Sequence, residues 1–220
     1  MEQLLQWDSE LLLWINGHHS PFWDTVMWYC TQSWIWIPLY VLLVAVVYFV
    51  ASKADIREKR GLKVFLLVVL GVACMGASAG LADFITSGLL KKWICRPRPT
   101  HSELAPMLHI LNGYTGGQYG FPSSHAANTM AVATSFWLIV KSLRKLPLRA
   151  QINDTTELGA VQTLFAVVKG LVVLYVIINC YSRMYLGVHY PLDIVCGAVI
   201  GWLIGWLMSK IIVQSLKFKV

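Results

Sequence analysis

Long apolar runs separated by short polar clusters organise this chain, and the positions of the clusters define its elements. From Glu2 to Ile15 the apolar residues Leu4, Trp7, Leu11 and Trp14 recur at helical spacing, interrupted by Glu2, Gln6, Asp8 and Glu10. The stretch is too short to span a bilayer. Residues 1–20 are therefore expected to form an amphipathic helix in the membrane interface, with the tryptophans at headgroup depth. His18 and His19 follow in a turn before Pro21 and are expected to be solvated rather than metal-bound. Five apolar stretches then cover about 34–51, 64–90, 123–140, 164–181 and 192–208. Each is close to the roughly 20 residues that cross a hydrocarbon core of about 30 Å. Gly76 and Gly80, and again Gly197, Gly201 and Gly205, recur at the four-residue interval that lets membrane helices approach closely. The fold expected is all-α: a transmembrane helical bundle of about five spans plus the interfacial helix, in one domain over 1–220.

Composition agrees with a bilayer setting. Of 220 residues, 57% are hydrophobic and only 13% charged, where a soluble domain carries roughly 25% charged residues. The net charge of +7 does not point to nucleic acid, because no interleaved aromatic and basic pattern accompanies it. In a membrane chain, basic residues mark cytoplasmic loops. Lys53, Arg57, Lys59, Arg60 and Lys63 follow the first span, Lys141, Arg144, Lys145 and Arg149 the third, and Lys210, Lys217 and Lys219 lie at or beyond the end of the fifth. That places residues 91–122, expected to be an outer-face loop carrying part of the active site, and the turn 182–190 together on the non-cytoplasmic face. The N-terminus, with no Lys or Arg before Lys53, belongs on the same face, and its Met1-Glu2 start is not that of a cleaved signal. The sequon at Asn153-Asp154-Thr155 falls on the cytoplasmic side and is discounted. Cys30, Cys74, Cys95, Cys180 and Cys196 show no metal-ligand spacing. Lys169 can snorkel from a helix end, and the intramembrane Asp83 is read as a structural partner rather than a catalytic one.

Chemistry-bearing residues from three separate segments meet at the outer level. The second span ends in Lys91, with Arg96-Pro97-Arg98-Pro99 just beyond; the third opens with Pro122-Ser123-Ser124-His125; Ser182-Arg183 and His189-Tyr190-Pro191-Leu192-Asp193 lie between the fourth and fifth. Headgroup anchoring accounts for Lys92 and Arg96. It does not account for two histidines, a carboxylate and two helix starts on one face. Ser123 stands where an N-cap would, which turns the backbone N–H groups of Ser124 and His125 toward an anion. Pro191 suits a first helical position, so Asp193 falls in the first turn of the fifth span and can reach back to His189. There it would fix the tautomer and stabilise the cationic ring, leaving the other ring nitrogen as a nucleophile. His125, on a different segment, is free for acid–base work.

Lys91 with six residues before Arg98-Pro99, Pro122-Ser123-x-His125, and Ser182-Arg183 with five residues before His189 and three more before Asp193 resemble the three-part signature of the type 2 phosphatidic acid phosphatase superfamily. The resemblance implies a helical core around a metal-independent site that needs no cofactor. It implies His189 as the residue that becomes phosphorylated, Asp193 as its orienting partner and His125 as proton donor to the leaving group. Lys91, Arg98, Ser123, Ser124 and Arg183 would bind the phosphate. One departure stands out: the family usually has glycine where this chain has Ser124, which preserves the backbone role and opens the side-chain role to question.

The implied function is a membrane lipid phosphatase working through a phosphohistidine. Its partners would be the bilayer and a lipid phosphate, with its site on the outer side of a plasma membrane. The short chain is most similar to bacterial undecaprenyl diphosphate phosphatases, so undecaprenyl diphosphate is the expected substrate. Phosphatidylglycerophosphate, phosphatidic acid and lipid A are the alternatives. The stretch 101–121, with His101, Glu103, His109, Tyr114 and Tyr119, is expected to shape headgroup choice. A non-catalytic transporter or scaffold of the same fold would have lost one of the three key residues, and all three are present. Vanadate-dependent haloperoxidases share such an anion site but are soluble in character.

Overall fold

A computed structural model describes residues 2–53, 60–145 and 155–217. Its helices are α1 (Glu2–Gly17), α2 (Pro21–Cys30), α3 (Ile37–Lys53), α4 (Arg60–Asp83), α5 (Lys91–Ile94), α6 (Ser124–Leu143), α7 (Thr155–Tyr185) and α8 (Pro191–Lys217). A π-helical segment, Phe84–Leu90, joins α4 to α5 in one continuous rod. Among the described residues, four segments are long and apolar enough to cross a membrane: Ser33–Lys53, Gly61–Ile94, Val161–Tyr185 and Pro191–Ile212. The fifth expected span is α6. It is the hub of the bundle, packed by α3, α4, α7 and α8, so its polar residues Ser124, Thr129 and Ser135 are buried among helices instead of meeting lipid.

The bundle is apolar outside as well as inside. Val41, Tyr48, Phe65, Leu174, Ile177, Val195, Val199 and Trp202 stand exposed on the long helices, where a bilayer would cover them. One core cluster, with Leu43, Val47, Phe136, Ile139, Val140 and Val168, occupies the end of the bundle remote from His125. A smaller one, of Ala82, Ala127, Ala131 and Ile204, lies nearer to it. The glycines of α8 explain why this second cluster is so thin. A Cβ added at Gly201 would land on the carbonyl oxygen of Ala127, and one at Gly197 on that of Ser123. The two helices therefore touch backbone to backbone.

Three expectations need correction. The helices outrun their apolar stretches: α7 starts at Thr155, α8 runs to Lys217, and the second span ends at Ile94. Helical hydrogen bonding continues past the hydrocarbon boundary into the interface, where hydropathy gives no signal. Lys91 thus lies inside the rod, its N–H bonded to the Thr86 carbonyl, and is not part of a loop. In α1, Leu4, Trp7, Leu11 and Trp14 face outward as expected, but Asp8 is buried with Leu12, Ile15 and Asn16. Arg57, Lys59, Arg149 and Lys219, used above to orient the chain, and Asn153 and Asp154 of the discounted sequon lie outside the described residues.

The α6–α8 contact is testable. Gly201→Ala is expected to destabilise the fold by about 1–3 kcal/mol through overpacking, read as a lowered thermal midpoint in detergent. An unchanged midpoint would show that the two backbones are not in contact.

Candidate active site

His189 sits in the turn between α7 and α8, fully buried, with Nδ1 3.3 Å from Asp193 Oδ2. Pro191 opens α8 as its first residue, which brings Asp193 into the first turn. The carboxylate is held on every side. Its Oδ2 also accepts the Tyr190 N–H at 3.1 Å, and its Oδ1 accepts Arg96 Nη1 at 2.8 Å. With Nδ1–H directed at Asp193, Nε2 carries the free lone pair. Burial first, and then the fields of Arg98, Arg183, Lys91 and His125, hold the His189 pKa well below the ordinary histidine range. The ring is therefore held in its neutral form, with a lone pair on Nε2.

The cations that act on His189 are themselves fixed from several directions. Arg98 is buried, donating from Nε to the Tyr119 carbonyl at 3.2 Å and facing the Val188 carbonyl at 3.5 Å. Its backbone is clamped by an isolated bridge, Pro97 to Tyr119, with Arg98 N–H on the Gln118 carbonyl and Gly120 N–H on the Arg96 carbonyl. Arg183 is fully buried near the end of α7, donating to the Thr31 hydroxyl and to Tyr114 Oη, the latter at 3.0 Å. Its Nε makes no hydrogen bond within the described residues, and neither does Ser123 Oγ. Buried donors without a partner are rare. Two of them beside a histidine and three cations form a cradle suited to an oxyanion.

The start of α6 completes the cradle. Ser123 is the N-cap, held by its N–H to the Asp193 carbonyl at 2.9 Å, and its hydroxyl makes no capping bond. The first N–H groups of α6 have no carbonyl partner within the helix and favour a negative charge. Ser124 is different: its hydroxyl is 2.6 Å from Ser87 Oγ and 3.0 Å from Thr86 Oγ1, both in the π-helical segment. Only its backbone N–H remains for an anion. The structure thus gathers His189, Asp193, His125, Lys91, Arg98, Arg183 and Ser123, and turns the Ser124 side chain aside.

The model of the PAP2 superfamily matches residues 66–217 of this chain. The chain belongs to the PAP2 superfamily. A lipid A 4'-phosphatase of Bacteroides thetaiotaomicron is 34% identical over 203 residues, covering 91% of this chain and 75% of that protein. A lipid A 4'-phosphatase of Porphyromonas gingivalis is 26% identical over 202 residues, 91% of this chain and 71% of that one. In fold, the chain is similar to the crystal structure of a transmembrane PAP2 type phosphatidylglycerolphosphate phosphatase from Bacillus subtilis. That match has a TM-score of 0.59 and 21% identity, covering 100% of this chain and 89% of the other. With its four apolar spans, this PAP2 chain is an integral membrane protein.

Around this PAP2 site the structure adds residues that the motifs do not contain. Arg96, read above as a headgroup anchor, bridges Asp193 and Asp8. Tyr114 and Thr31 seat Arg183, and Tyr119 seats Arg98. None has a local signal, since each partner lies far away in sequence. His109 pairs with Asp24 at 3.1 Å, while Asn16 bonds both its backbone N–H and its carbonyl. His19, Asp24 and His109 bring their possible ligand atoms within 4.8 Å of one another. The two rings nonetheless stack at 3.7 Å and 3°. A metal lies in the plane of each imidazole that binds it, and parallel planes share no point, so as placed the pair stacks and does not ligate. His101 is exposed, and Asp83 accepts from the Ser87 hydroxyl.

Gly116 supplies a direct test of the cradle. Its φ is +68°, and a Cβ there would strike the Arg98 guanidinium. Gly116→Ala is expected to weaken binding of inorganic phosphate about tenfold, or ~1.4 kcal/mol, in titration calorimetry of the detergent-solubilised protein. Unchanged affinity would remove Arg98 from the anion site.

Proposed function

We propose that this chain is a metal-independent lipid phosphatase that removes a phosphate group from lipid A through a phosphohistidine at His189. The observation that carries the reaction type is the buried His189–Asp193 pair beside three cations and two unpartnered donors, Ser123 Oγ and Arg183 Nε. The isoprenoid diphosphate expected from the sequence gives way to one of its alternatives. Two relatives that align over nine-tenths of the chain are lipid A 4'-phosphatases.

The mechanism follows from the charges. A phosphate dianion enters the cradle and offsets Lys91, Arg98 and Arg183, so His125 can hold a proton in the complex. Nε2 of His189 attacks phosphorus in line, and its new N–P bond forms as the P–O bond to the lipid breaks. His125 gives its proton to the departing oxygen. As positive charge develops on His189, the Asp193 carboxylate stabilises it. His125 then takes a proton from water, the resulting hydroxide attacks phosphorus, and the N–P bond breaks to release inorganic phosphate. Fixed cations and N–H groups supply the electrostatic stabilisation on which phosphoryl transfer depends. These side chains do the work a metal performs in other phosphatases, which is the ground for metal independence.

A lipid substrate suits the position of the cradle at the end of the bundle. A groove of about 460 Å³, lined by Met130, Trp137, Val173, Ile177, Trp202 and Trp206, lies on α6, α7 and α8. These helices also carry His125, Arg183 and Asp193, so acyl chains have an apolar seat on the elements that hold the phosphate. The basic loops support a cradle on the non-cytoplasmic side of a plasma membrane, in a single unit over 1–220 with 1–20 in the interface.

Purified protein tested against lipid A, undecaprenyl diphosphate, phosphatidylglycerophosphate and phosphatidic acid, with free phosphate as readout, decides the substrate. Release from lipid A is the expected result. Release from undecaprenyl diphosphate alone would restore the isoprenoid reading. His189→Ala is expected to lower turnover by at least about 10³-fold, and a chelator to leave it unchanged. Loss of activity on chelation that a divalent metal restores would overturn the metal-free scheme.

A further inference from the structure

A chain of ion pairs runs from the nucleophile to the N-terminal helix. Asp193 Oδ2 serves His189 and the Tyr190 N–H, and Oδ1 receives Arg96 Nη1 at 2.8 Å. The other terminal nitrogen of Arg96, Nη2, donates to Asp8 Oδ2 at 2.7 Å. The second oxygen of Asp8, Oδ1, accepts the Leu192 N–H at 2.8 Å. The Asp8 and Asp193 carboxylates are 1% and 0% exposed, and the Arg96 side chain 21%. The guanidinium lies over the Tyr190 ring, 4.0 Å from its centroid.

A guanidinium beside a single carboxylate tends to bind both of its oxygens in a fork. Arg96 does not, because its second nitrogen is taken by Asp8. Asp193 therefore keeps Oδ2 for His189. Asp8 also closes the geometry from the other end: by accepting the N–H of Leu192, an otherwise unpaired donor in the first turn of α8, it fixes the turn that carries Asp193. We propose that Asp8 and Arg96 are positioning residues of the active site: Asp8, from the N-terminal helix, divides the Arg96 guanidinium between two carboxylates and so reserves one oxygen of Asp193 for His189. This inference rests on the reading of His189 as nucleophile and Asp193 as its orienting partner.

A buried ion pair that served only the fold would explain Asp8 with Arg96. It would not explain why the same guanidinium reaches the carboxylate behind the nucleophile. The two roles separate in kinetics. Without Asp8, Arg96 is free to fork onto both oxygens of Asp193 and to draw Oδ2 from His189, while Lys91, Arg98, Arg183 and Ser123 stay in place. Turnover falls and substrate affinity holds.

The experiment compares wild type, Asp8→Asn, Arg96→Lys and the double variant in detergent, using the lipid phosphate turned over fastest in the panel above. Folded protein is quantified by gel filtration and thermal melting. Asp8→Asn and Arg96→Lys are each expected to lower kcat per folded molecule by about ten- to hundredfold with KM changed less than about threefold. The double variant is expected to lose little more than either alone, because both act through one contact. Asp8→Glu, which keeps the charge, is expected to recover part of kcat; if Asp8→Asn does not fold, Asp8→Glu and Arg96→Lys carry the test. An unchanged kcat per folded molecule, a loss confined to KM, or fully multiplicative losses in the double variant would overturn the proposal. Wild-type protein inactive on every lipid phosphate would instead defeat the phosphatase reading itself, which keeps the two failures apart.

Discussion

Everything at this site depends on the backbone contact between α6 and α8. The Ser123 carbonyl lies where a Cβ of Gly197 would be, and the Ala127 carbonyl where one of Gly201 would be. In lipid there is no hydrophobic force between helices, so close van der Waals packing of small residues holds them together. The contact also sets the register. It places the N-cap of α6 beside the first turn of α8, where the Ser123 N–H meets the Asp193 carbonyl. Asp193, the proposed orienting acid, and the start of α6, the proposed anion site, are thereby fixed by a main-chain hydrogen bond. A larger residue in the stripe would move the two halves of the site apart before it touched any catalytic atom.

The charges placed there are costly without partners, since a buried ion loses several kcal/mol of hydration. The structure supplies partners unevenly. Asp193 and Asp8 have theirs in full, through Arg96, Tyr190 and Leu192. The cations have less: Arg98 meets carbonyls and Arg183 a hydroxyl and a phenol, all neutral. The result is an excess of positive field at one spot. Burial first, and that field with it, keep the His189 ring unprotonated. In the proposed reaction a phosphate dianion would relieve the same field, so preparing the nucleophile and recognising the substrate would be one electrostatic property.

Much of this was legible in the sequence. The spans, the glycine stripe, the helix start at Ser123 and the placement of Asp193 one turn after His189 all follow from local spacing. So does the grouping of His125, Arg98, Arg183 and Lys91 at one level. What escaped is tertiary. Asp8 read as a polar interruption of an interfacial helix because its partner, Arg96, is 88 residues away. Arg96 read as a headgroup anchor because anchoring explains any arginine at a helix end. Ser124 could not be resolved by motif, since its hydroxyl is spoken for by Thr86 and Ser87 in a π-helical segment. Hydropathy likewise under-read the helix ends, and although it marked 123–140 as a span it could not tell that α6 is ringed by protein.

The same division separates chemistry from specificity. His125, Arg183, His189 and Asp193 stand on or next to the long helices, tied to the bundle core. The groups that seat the arginines, Thr31, Tyr114 and Tyr119, come from the polar outer segments, as do the links among Asn16, Asp24, His109 and Tyr185. Those outer segments pack around the cradle without belonging to the signature. Under the proposed function a lipid headgroup would meet those segments first, and the phosphorus the core set. Relatives that share the core could then differ in substrate through the outer layer. For that reason the signature points to the reaction class, whereas the proposal of lipid A rests on likeness over nine-tenths of the chain, outer layer included.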